Sequence, residues 1–175
     1  MDKSSLRKFF KERFKALSLE ERKDFNFKIS SSLKSLNFKT SEVGVYIPLP
    51  DEVDWSVCFD KNQDFLVVNF KADHNIGFFL NQLNDLKTQD KFLVPNSQLE
   101  HQPKILFIPG LGFGEDGGRV GRGKGFYDRY LENFKGLKIG ITYETLLVPK
   151  VPMEDHDRYM DWIVSEKGIK KISPV

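Results

Sequence analysis

Cysteine is almost absent from the sequence, because Cys58 is the single thiol among 175 residues. One thiol excludes a disulfide framework and a cysteine-rich zinc site, and it suits a reducing compartment. No apolar run approaches the roughly 20 residues that a membrane-spanning helix needs. The first 40 residues are charged throughout and contain no apolar central stretch, so we expect neither a secretory signal nor a membrane partner, and a cytoplasmic location.

Internal repeats, low-complexity segments and long linkers are missing as well, so we expect a single domain over residues 1–175. The net charge of +2 is unevenly distributed. Residues 1–39 hold 11 Lys/Arg against 5 Asp/Glu, whereas the remainder holds 16 against 20. The basic segment is compatible with a solvated helix face, with an anionic ligand or with nucleic acid. Nothing in it matches an established nucleic-acid-binding module, so we predict no nucleic-acid partner.

The basic segment has the pattern of two helices. Apolar residues between Leu6 and Leu17 recur at steps of three and four, which predicts one amphipathic helix. Ser18 and Glu21 form a capping box, in which the side chain of each residue accepts the backbone N–H of the other. A second helix is predicted from there to about Leu36.

The rest of the chain alternates between short β-like runs and helical stretches. Buried strands are predicted at Val43–Ile47, Phe65–Phe70, Lys91–Val94, Ile105–Ile108, Lys138–Thr142 and Trp162–Val164. Helices are predicted between them at Val53–Asp60, Ile76–Leu86 and Gly125–Phe134. This alternation predicts an α/β fold with a mostly parallel central sheet and helices on both faces, next to the N-terminal helical pair.

Eight of the 13 glycines lie in Gly110–Gly125, which we call the glycine loop. It follows a predicted strand and precedes a predicted helix, where backbone N–H groups and a helix N-terminus can converge on an anion. Gly118-x4-Gly123-Lys124 resembles a Walker A loop, but Gly125 replaces the Ser or Thr that holds Mg²⁺. Gly121-x-Gly123 begins a dinucleotide fingerprint that Phe126 breaks, so a phosphate loop of another kind is indicated.

Three cations, Arg119, Arg122 and Lys124, lie in the glycine loop, as expected where phosphate oxygens are held. Asp128 follows one helical turn later and could carry Mg²⁺. The alternative is a flexible surface hairpin with Asp128 as an ordinary carboxylate at a helix end.

Two acidic segments and one basic face remain open to a structural or a functional interpretation. Residues 48–54 could form a turn in which Asp51 caps a helix, or could present a carboxylate to a nitrogen-rich ring. Residues 152–157 could be an exposed loop, or could bind a hard cation together with Asp128. Lys3, Arg7 and Lys11 share one edge of the first helix. Cys58 is expected to be a buried, inert thiol.

The segment from Gly118 to Arg129 closely resembles the signature R-[LV]-G-[YR]-G-K-G-[FY]-Y-D of the 5-formyltetrahydrofolate cyclo-ligases, also called methenyltetrahydrofolate synthetases. Three weaker blocks occur in the family's order. They are Lys3 to Arg7 for K-x-x-L-R, Tyr46 to Asp54 for a strand followed by E-[VI]-[DE], and Pro152 to Asp157 for P-x-E-x-H-D.

This resemblance implies an ATP- and Mg²⁺-dependent closure of 5-formyltetrahydrofolate to 5,10-methenyltetrahydrofolate, with phosphorylation of the formyl oxygen and release of ADP and phosphate. It implies catalytic roles for Arg122 and Lys124, folate contacts for Ile47, Glu52 and Tyr127, and magnesium ligands in Asp128 and Asp157. The implied ATP contacts are Lys3, Arg7, Arg119, Val120, Gly121, Arg122, Gly123, Lys124, Gly125, Phe126 and Tyr127. We expect ATP and a reduced formyl-folate as partners of a monomer.

Two positions differ from the family pattern. Gly114 stands where many members carry an acid, and Leu146 stands where a glutamine is common. These differences leave a non-catalytic nucleotide- or folate-binding protein of the same fold as the alternative.

Overall fold

The computed structural model describes residues 1–173; the predicted domain also includes Pro174 and Val175, which lie outside the described residues. The helices are α1 (Lys3–Ala16), α2 (Leu19–Ser35) and α3 (Phe126–Asn133), with short 3-10 helices at Thr40–Glu42 and Glu144–Leu146. The strands are β1 (Val43–Val45), β2 (Asp64–Phe70), β3 (Ile76–Gln82), β4 (Leu86–Gln89), β5 (Phe92–Pro95), β6 (Ile105–Ile108), β7 (Gly112–Gly114), β8 (Arg119–Val120), β9 (Leu137–Ile141), β10 (Leu147–Val148), β11 (Trp162–Ser165) and β12 (Gly168–Lys171).

Seven strands form the central sheet in the order β12-β11-β9-β6-β1-β2-β3. The five inner strands are parallel to one another, and the edge strands β3 and β12 are each antiparallel to a neighbour. The predicted α/β class with a mostly parallel sheet is confirmed. Because the inner strands run the same way, the segments that follow β1 and β6 leave the sheet at the same edge.

Helices cover both faces of this sheet, as predicted. Phe10 of α1 and Ile29 of α2 share a buried cluster with Val43 and Val45, which alternate with Gly44 along β1. Leu131 of α3 belongs to a second cluster on the opposite face, with side chains from β2, β3, β6 and β11.

The N-terminal helical pair also forms as predicted. Ser18 accepts the backbone N–H of Glu21, and the Glu21 carboxylate accepts the backbone N–H of Ser18, so the capping box is complete. Gly112 lets α1 approach β7 closely, because a Cβ atom at this position would lie 2.5 Å from the ring of Phe10.

The predicted helix at Ile76–Leu86 is wrong, because this segment is mainly β3 of a hairpin with β2. Asp73 and Asn75 close the intervening turn with side-chain hydrogen bonds. The run from Ile76 is rich in aromatic and β-branched residues, which suit a strand, although its apolar spacing also fits a helix.

The predicted helix at Val53–Asp60 is wrong as well, because the segment is a series of turns. The Asp54 carboxylate accepts both the backbone N–H and the hydroxyl of Ser56, which competes with a helical backbone. The buried Trp55 donates its indole N–H to the Tyr46 carbonyl, 2.9 Å away, and fixes the segment over β1. Cys58 is half-buried in these turns.

The predicted strand at Lys91–Val94 exists as β5, but it pairs with β4 in a separate two-stranded sheet. Phe92 and Leu93 are exposed, so the expectation of a buried strand was wrong for these two residues. Within residues 1–173, no helix has the length and the apolar character needed to cross a membrane.

Candidate active site at the carboxyl ends of the parallel strands

The glycine loop is partly a buried hairpin and partly an open turn. Residues 112–120 contain β7 and β8, which pair with each other, and Phe113 of β7 is fully buried. The chain then turns through residues 121–125 and enters α3, whose N-cap is Gly125. Gly123 has φ of +91°, a conformation that side-chain-bearing residues rarely adopt. The sequence prediction of a strand, a turn and a helix is therefore right, although the loop contains more regular structure than expected.

The basic face of α1 lies against this turn. Arg7 donates from Nε to the Gly121 carbonyl over 2.9 Å, and its guanidinium carbon lies 3.6 Å from where a Cβ of Gly123 would be. Arg7 is 114 residues from Gly121 in sequence. Part of the positive charge of α1 thus lies at the glycine loop.

Lys3, one turn before Arg7, contacts the acidic segment near the C-terminus. Its ammonium group donates to the carboxylate of Asp157 and lies 3.7 Å from Glu154. The side chains of Lys3 and Asp157 are only 16% and 6% exposed. Burial alone would raise the pKa of Asp157, but the hydrogen bonds from Lys3 and the Glu154 backbone outweigh it and lower that pKa.

Arg119 and Asp128 form a second ion pair beneath the loop. Nη2 of Arg119 lies 2.5 Å from Oδ1 of Asp128, and Nη1 donates to the Pro109 carbonyl over 3.3 Å. The Arg119 side chain is 8% exposed. In this structure Arg119 therefore joins β8 to the start of α3, whereas the sequence suggested a cation exposed to phosphate.

Arg122 connects the glycine loop to the turn after β1. Its Nη2 lies 2.6 Å from Oδ1 of Asp51, and its Nε lies 3.3 Å from Oε1 of Glu52. Of the two alternatives for this segment, the helix cap is excluded, since residues 53–60 form turns and the Asp51 carboxylate binds Arg122. Burial alone would raise the pKa of Asp51, but its hydrogen bond with Arg122 outweighs this effect and lowers it.

Glu52 binds the same guanidinium, and only 9% of its side chain is exposed. Its second oxygen accepts the backbone N–H of Leu49 over 3.0 Å. Burial raises the pKa of Glu52 despite the opposing effects of that N–H and of Arg122. A partly desolvated carboxylate is the kind of group that binds the N–H donors of a heterocycle.

Two tyrosines surround this carboxylate. Burial first, and then the charge of Glu52, raise the pKa of both Tyr46 and Tyr127 well above the ordinary value, so both hydroxyls stay protonated. The Tyr46 hydroxyl donates to the Val53 carbonyl. The Tyr127 hydroxyl is buried and has no hydrogen-bond partner among residues 1–173. Such a group costs free energy unless a ligand satisfies it.

The remaining predicted site residues lie on the same side of the sheet. Ile47 follows β1 and packs, partly buried, against the core. Lys124 is exposed in the turn before α3. Leu146, by contrast, is 3% exposed and belongs to the core, and a Cβ at Gly114 would lie 2.1 Å from Oδ1 of Asp116. A larger side chain at position 114 would require Asp116 to move.

Only some of the predicted ligands for a hard cation lie close together. Glu154, His156 and Asp157 each place a ligand atom within 4.8 Å of the others, and carboxylate oxygens suit Mg²⁺. Asp128 is not part of this cluster and is held by Arg119. The donor chemistry fits magnesium at Asp157, and Lys3 would have to give up that carboxylate.

Sequence reasoning missed two contributors to the site. Asp51 was considered only as a possible helix cap, and its contact with Arg122 spans 71 residues. Tyr46 was seen only as part of a strand-end block. Its position at the C-terminal end of β1 was the available signal, since ligands of parallel sheets bind at that edge.

Comparison with known proteins identifies one family. Residues 1–166 match the 5-formyltetrahydrofolate cyclo-ligase family. The 5-formyltetrahydrofolate cyclo-ligase of Mus musculus is 26% identical over 192 residues, covering 94% of this chain and 93% of the mouse protein. The enzyme of the same name from Mycoplasma genitalium is 34% identical over 152 residues, covering 82% of this chain and 86% of its own.

Two solved structures share the fold. The NMR structure of Aquifex aeolicus 5,10-methenyltetrahydrofolate synthetase has a TM-score of 0.85 and 31% identity, and the match covers 100% of this chain and 95% of that one. The Mycoplasma pneumoniae 5,10-methenyltetrahydrofolate synthetase has a TM-score of 0.72 and 26% identity, with 95% and 99% covered. The chain therefore belongs to the 5-formyltetrahydrofolate cyclo-ligase family and is a folate-cyclising enzyme.

Proposed function

We propose that this enzyme uses ATP and Mg²⁺ to convert 5-formyltetrahydrofolate to 5,10-methenyltetrahydrofolate, with release of ADP and phosphate. The observation that carries the proposal is the meeting of three separate segments at one edge of the sheet. Arg7 of α1 binds the glycine loop, and Arg122 of that loop reaches Glu52 after β1. Cations suited to phosphate and a carboxylate suited to a pterin are thus joined by direct contacts.

The proposed chemistry replaces a poor leaving group with a good one. Transfer of the γ-phosphoryl group of ATP to the formyl oxygen forms an O–P bond and releases ADP. The folate nitrogen N10 then attacks the formyl carbon, the C–O bond breaks, and the oxygen leaves as part of phosphate. N10 gives up its proton to solvent. Such transfers depend on positioning and on charge stabilisation more than on a protein nucleophile.

The residues of the glycine loop and of α1 would hold the nucleotide in this scheme. The nucleotide would lie along residues 119–127, with Lys3 and Arg7 at its phosphates. Arg122 and Lys124 would stabilise the negative charge of the phosphoryl group during transfer. Uncapped backbone N–H groups at the start of α3, where Gly125 provides no side-chain cap, add further donors.

Glu52 would orient the folate by accepting hydrogen bonds from the pterin. The buried hydroxyl of Tyr127 would donate to the same ligand, which explains its lack of a partner among the described residues. Ile47 would provide an apolar contact. Asp128 and Asp157 would hold Mg²⁺, which when bound neutralises charge on the phosphate oxygens.

The test is to mix the protein with Mg-ATP and 5-formyltetrahydrofolate and to follow the near-ultraviolet absorbance of the methenyl product. We expect product that depends on ATP and that disappears when EDTA removes the metal. Reactions without folate and without protein are the controls. Absence of product from folded protein that binds ATP would overturn the proposal, and it would favour a non-catalytic binding protein.

A further inference from the structure

Arg122 already occupies the carboxylate that the proposed function assigns to the pterin. Oε1 of Glu52 accepts from Nε of Arg122, while Oε2 accepts from the backbone of Leu49. Since the Glu52 side chain is only 9% exposed, both of its oxygens are committed and little of its surface is accessible. An incoming ring with two adjacent donors cannot bind Glu52 fully while Arg122 remains there.

The pterin and the guanidinium of Arg122 present similar hydrogen-bond donors. The pyrimidine part of a pterin presents a ring N–H next to an exocyclic amino group. A guanidinium presents the same arrangement of parallel N–H donors, which fits the two oxygens of one carboxylate. Arg122 gives Glu52 one such donor, from Nε, while its Nη2 binds Asp51, so it already occupies one of the two oxygens that the ring would need.

Resting on the proposed function, we infer that Arg122 competes with the pterin for Glu52, and that Asp51 is a positioning residue that retains Arg122 once the pterin has displaced it. The two carboxylates differ in depth. Asp51 is 46% exposed and makes the shorter contact with Arg122, whereas Glu52 lies below it. When Arg122 loses its contact with Glu52, its contact with Asp51 remains.

This exchange has a consequence for the nucleotide. Arg122 lies between Gly121, which binds Arg7, and Gly123. When the pterin takes Glu52, one of the two carboxylates that neutralise Arg122 is withdrawn from it. The guanidinium then has free donors in the loop that is proposed to hold the phosphates, so folate binding prepares a cation for phosphoryl transfer.

The experiment measures the dissociation constant of 5-formyltetrahydrofolate by calorimetry without nucleotide, so that no reaction occurs. Arg122→Gln should bind the folate about threefold to tenfold more tightly than the wild type, because a competing ion pair has been removed. Asp51→Asn should bind it more weakly by a similar factor, because displaced Arg122 then has no partner. In the double variant the effect of Asp51→Asn should vanish.

Arg13→Gln is the matched control. Arg13 is an exposed arginine of α1 that donates to the Thr145 carbonyl and has no contact with Glu52. Its replacement removes the same charge and should leave folate affinity unchanged. Because folates are anions, loss of a cation through charge alone would weaken binding, which is opposite in sign to the effect expected for Arg122→Gln.

Unchanged or weaker folate binding by Arg122→Gln overturns the competition. If Asp51→Asn weakens folate binding equally in the wild type and in Arg122→Gln, the positioning role is overturned. A purely structural role of Asp51 would give that result, because it does not depend on Arg122. If the wild type makes the methenyl product while Arg122→Gln binds folate no more tightly, the competition alone fails. If the wild type neither binds folate nor makes product, the proposed function fails too.

Discussion

Lys124 is exposed and forms no ion pair within residues 1–173, whereas Lys3, Arg119 and Arg122 are each bound to a carboxylate. Its ammonium group can therefore reach a ligand without breaking an ion pair. We predict that Lys124→Ala lowers kcat at least about 100-fold, because a charge that stabilises the transferring phosphoryl group is lost. The measurement is the rate of methenyl formation at saturating substrates.

Lys135→Ala is the control for that variant, because Lys135 is also exposed and follows the same helix. It should retain the wild-type rate. A near-normal kcat for Lys124→Ala would remove Lys124 from the mechanism while leaving the rest of the site in place.

The buried carboxylate of Glu52 makes stability depend on pH. Charged or titratable groups around it are Asp51, Arg122, Tyr46 and Tyr127, and burial is the largest of the effects that raise its pKa. A carboxyl with a raised pKa in the folded state stabilises the fold below its unfolded-state pKa. That contribution is lost as the pH rises through the folded-state pKa.

We therefore predict that Glu52→Gln gains stability relative to the wild type as the pH rises above the ordinary carboxyl pKa of about 4. The measurement is the free energy of unfolding by urea at several pH values. Glu12→Gln, at an exposed position of α1, provides the reference for removing one carboxylate elsewhere. A difference between Glu52→Gln and the wild type that shrinks as the pH rises would contradict the assignment of burial as the cause.

The sequence predicts which charged residues belong to the site better than it predicts which residues they pair with. The motif from Arg119 to Asp128 is local, so its spacing alone indicates a loop with cations and a carboxylate. Which carboxylate each cation meets depends on the packing of distant segments. Arg122 pairs with Asp51 and Lys3 pairs with Asp157, over separations of 71 and 154 residues, and no local pattern records such contacts.

The position of α1 depends on a close approach of its Phe10 to β7. Phe10 is fully buried, and Gly112 of β7 leaves room for its ring. We predict that Gly112→Ala destabilises the fold by about 1–3 kcal/mol, because the added Cβ would displace α1. ATP affinity should fall as well, since α1 carries Lys3 and Arg7. Thermal unfolding and ATP titration are the measurements.

Phe10→Leu offers a test of that cause. The smaller side chain should destabilise the wild type but should recover part of the loss in Gly112→Ala, because the two changes act on the same space. Purely additive effects of the two substitutions would show that the contact between α1 and β7 is not responsible.

The errors in predicting elements share one physical origin. The segment 76–86 contains apolar residues at helical spacing, whereas those of 53–60 alternate. In both segments the backbone is set by contacts made elsewhere. Trp55 binds the Tyr46 carbonyl, and β3 pairs along its whole length with β2. The inner strands and α1, α2 and α3 were predictable, because their apolar periodicity matches the face that they bury.

For the whole molecule, both edges of the central sheet are protected. β12 carries Lys170 and Lys171, and charged edge strands disfavour pairing between molecules. The free edge of β3 is covered by residues 99–101, which bond to the backbone of Phe78 and Leu80. We predict a monomer at micromolar concentrations. Sedimentation equilibrium should give the mass of one chain, and the mass of a dimer would contradict the prediction.

The contact between Lys3 and Asp157 links the order of synthesis to the gain of function. A ribosome adds Lys3 154 residues before Asp157. The growing chain can therefore complete α1 and the inner strands up to β9 while this corner of the site is still missing. A nascent or prematurely ended chain would lack the proposed metal ligand, so ATP turnover should begin only after nearly the whole polypeptide has been made.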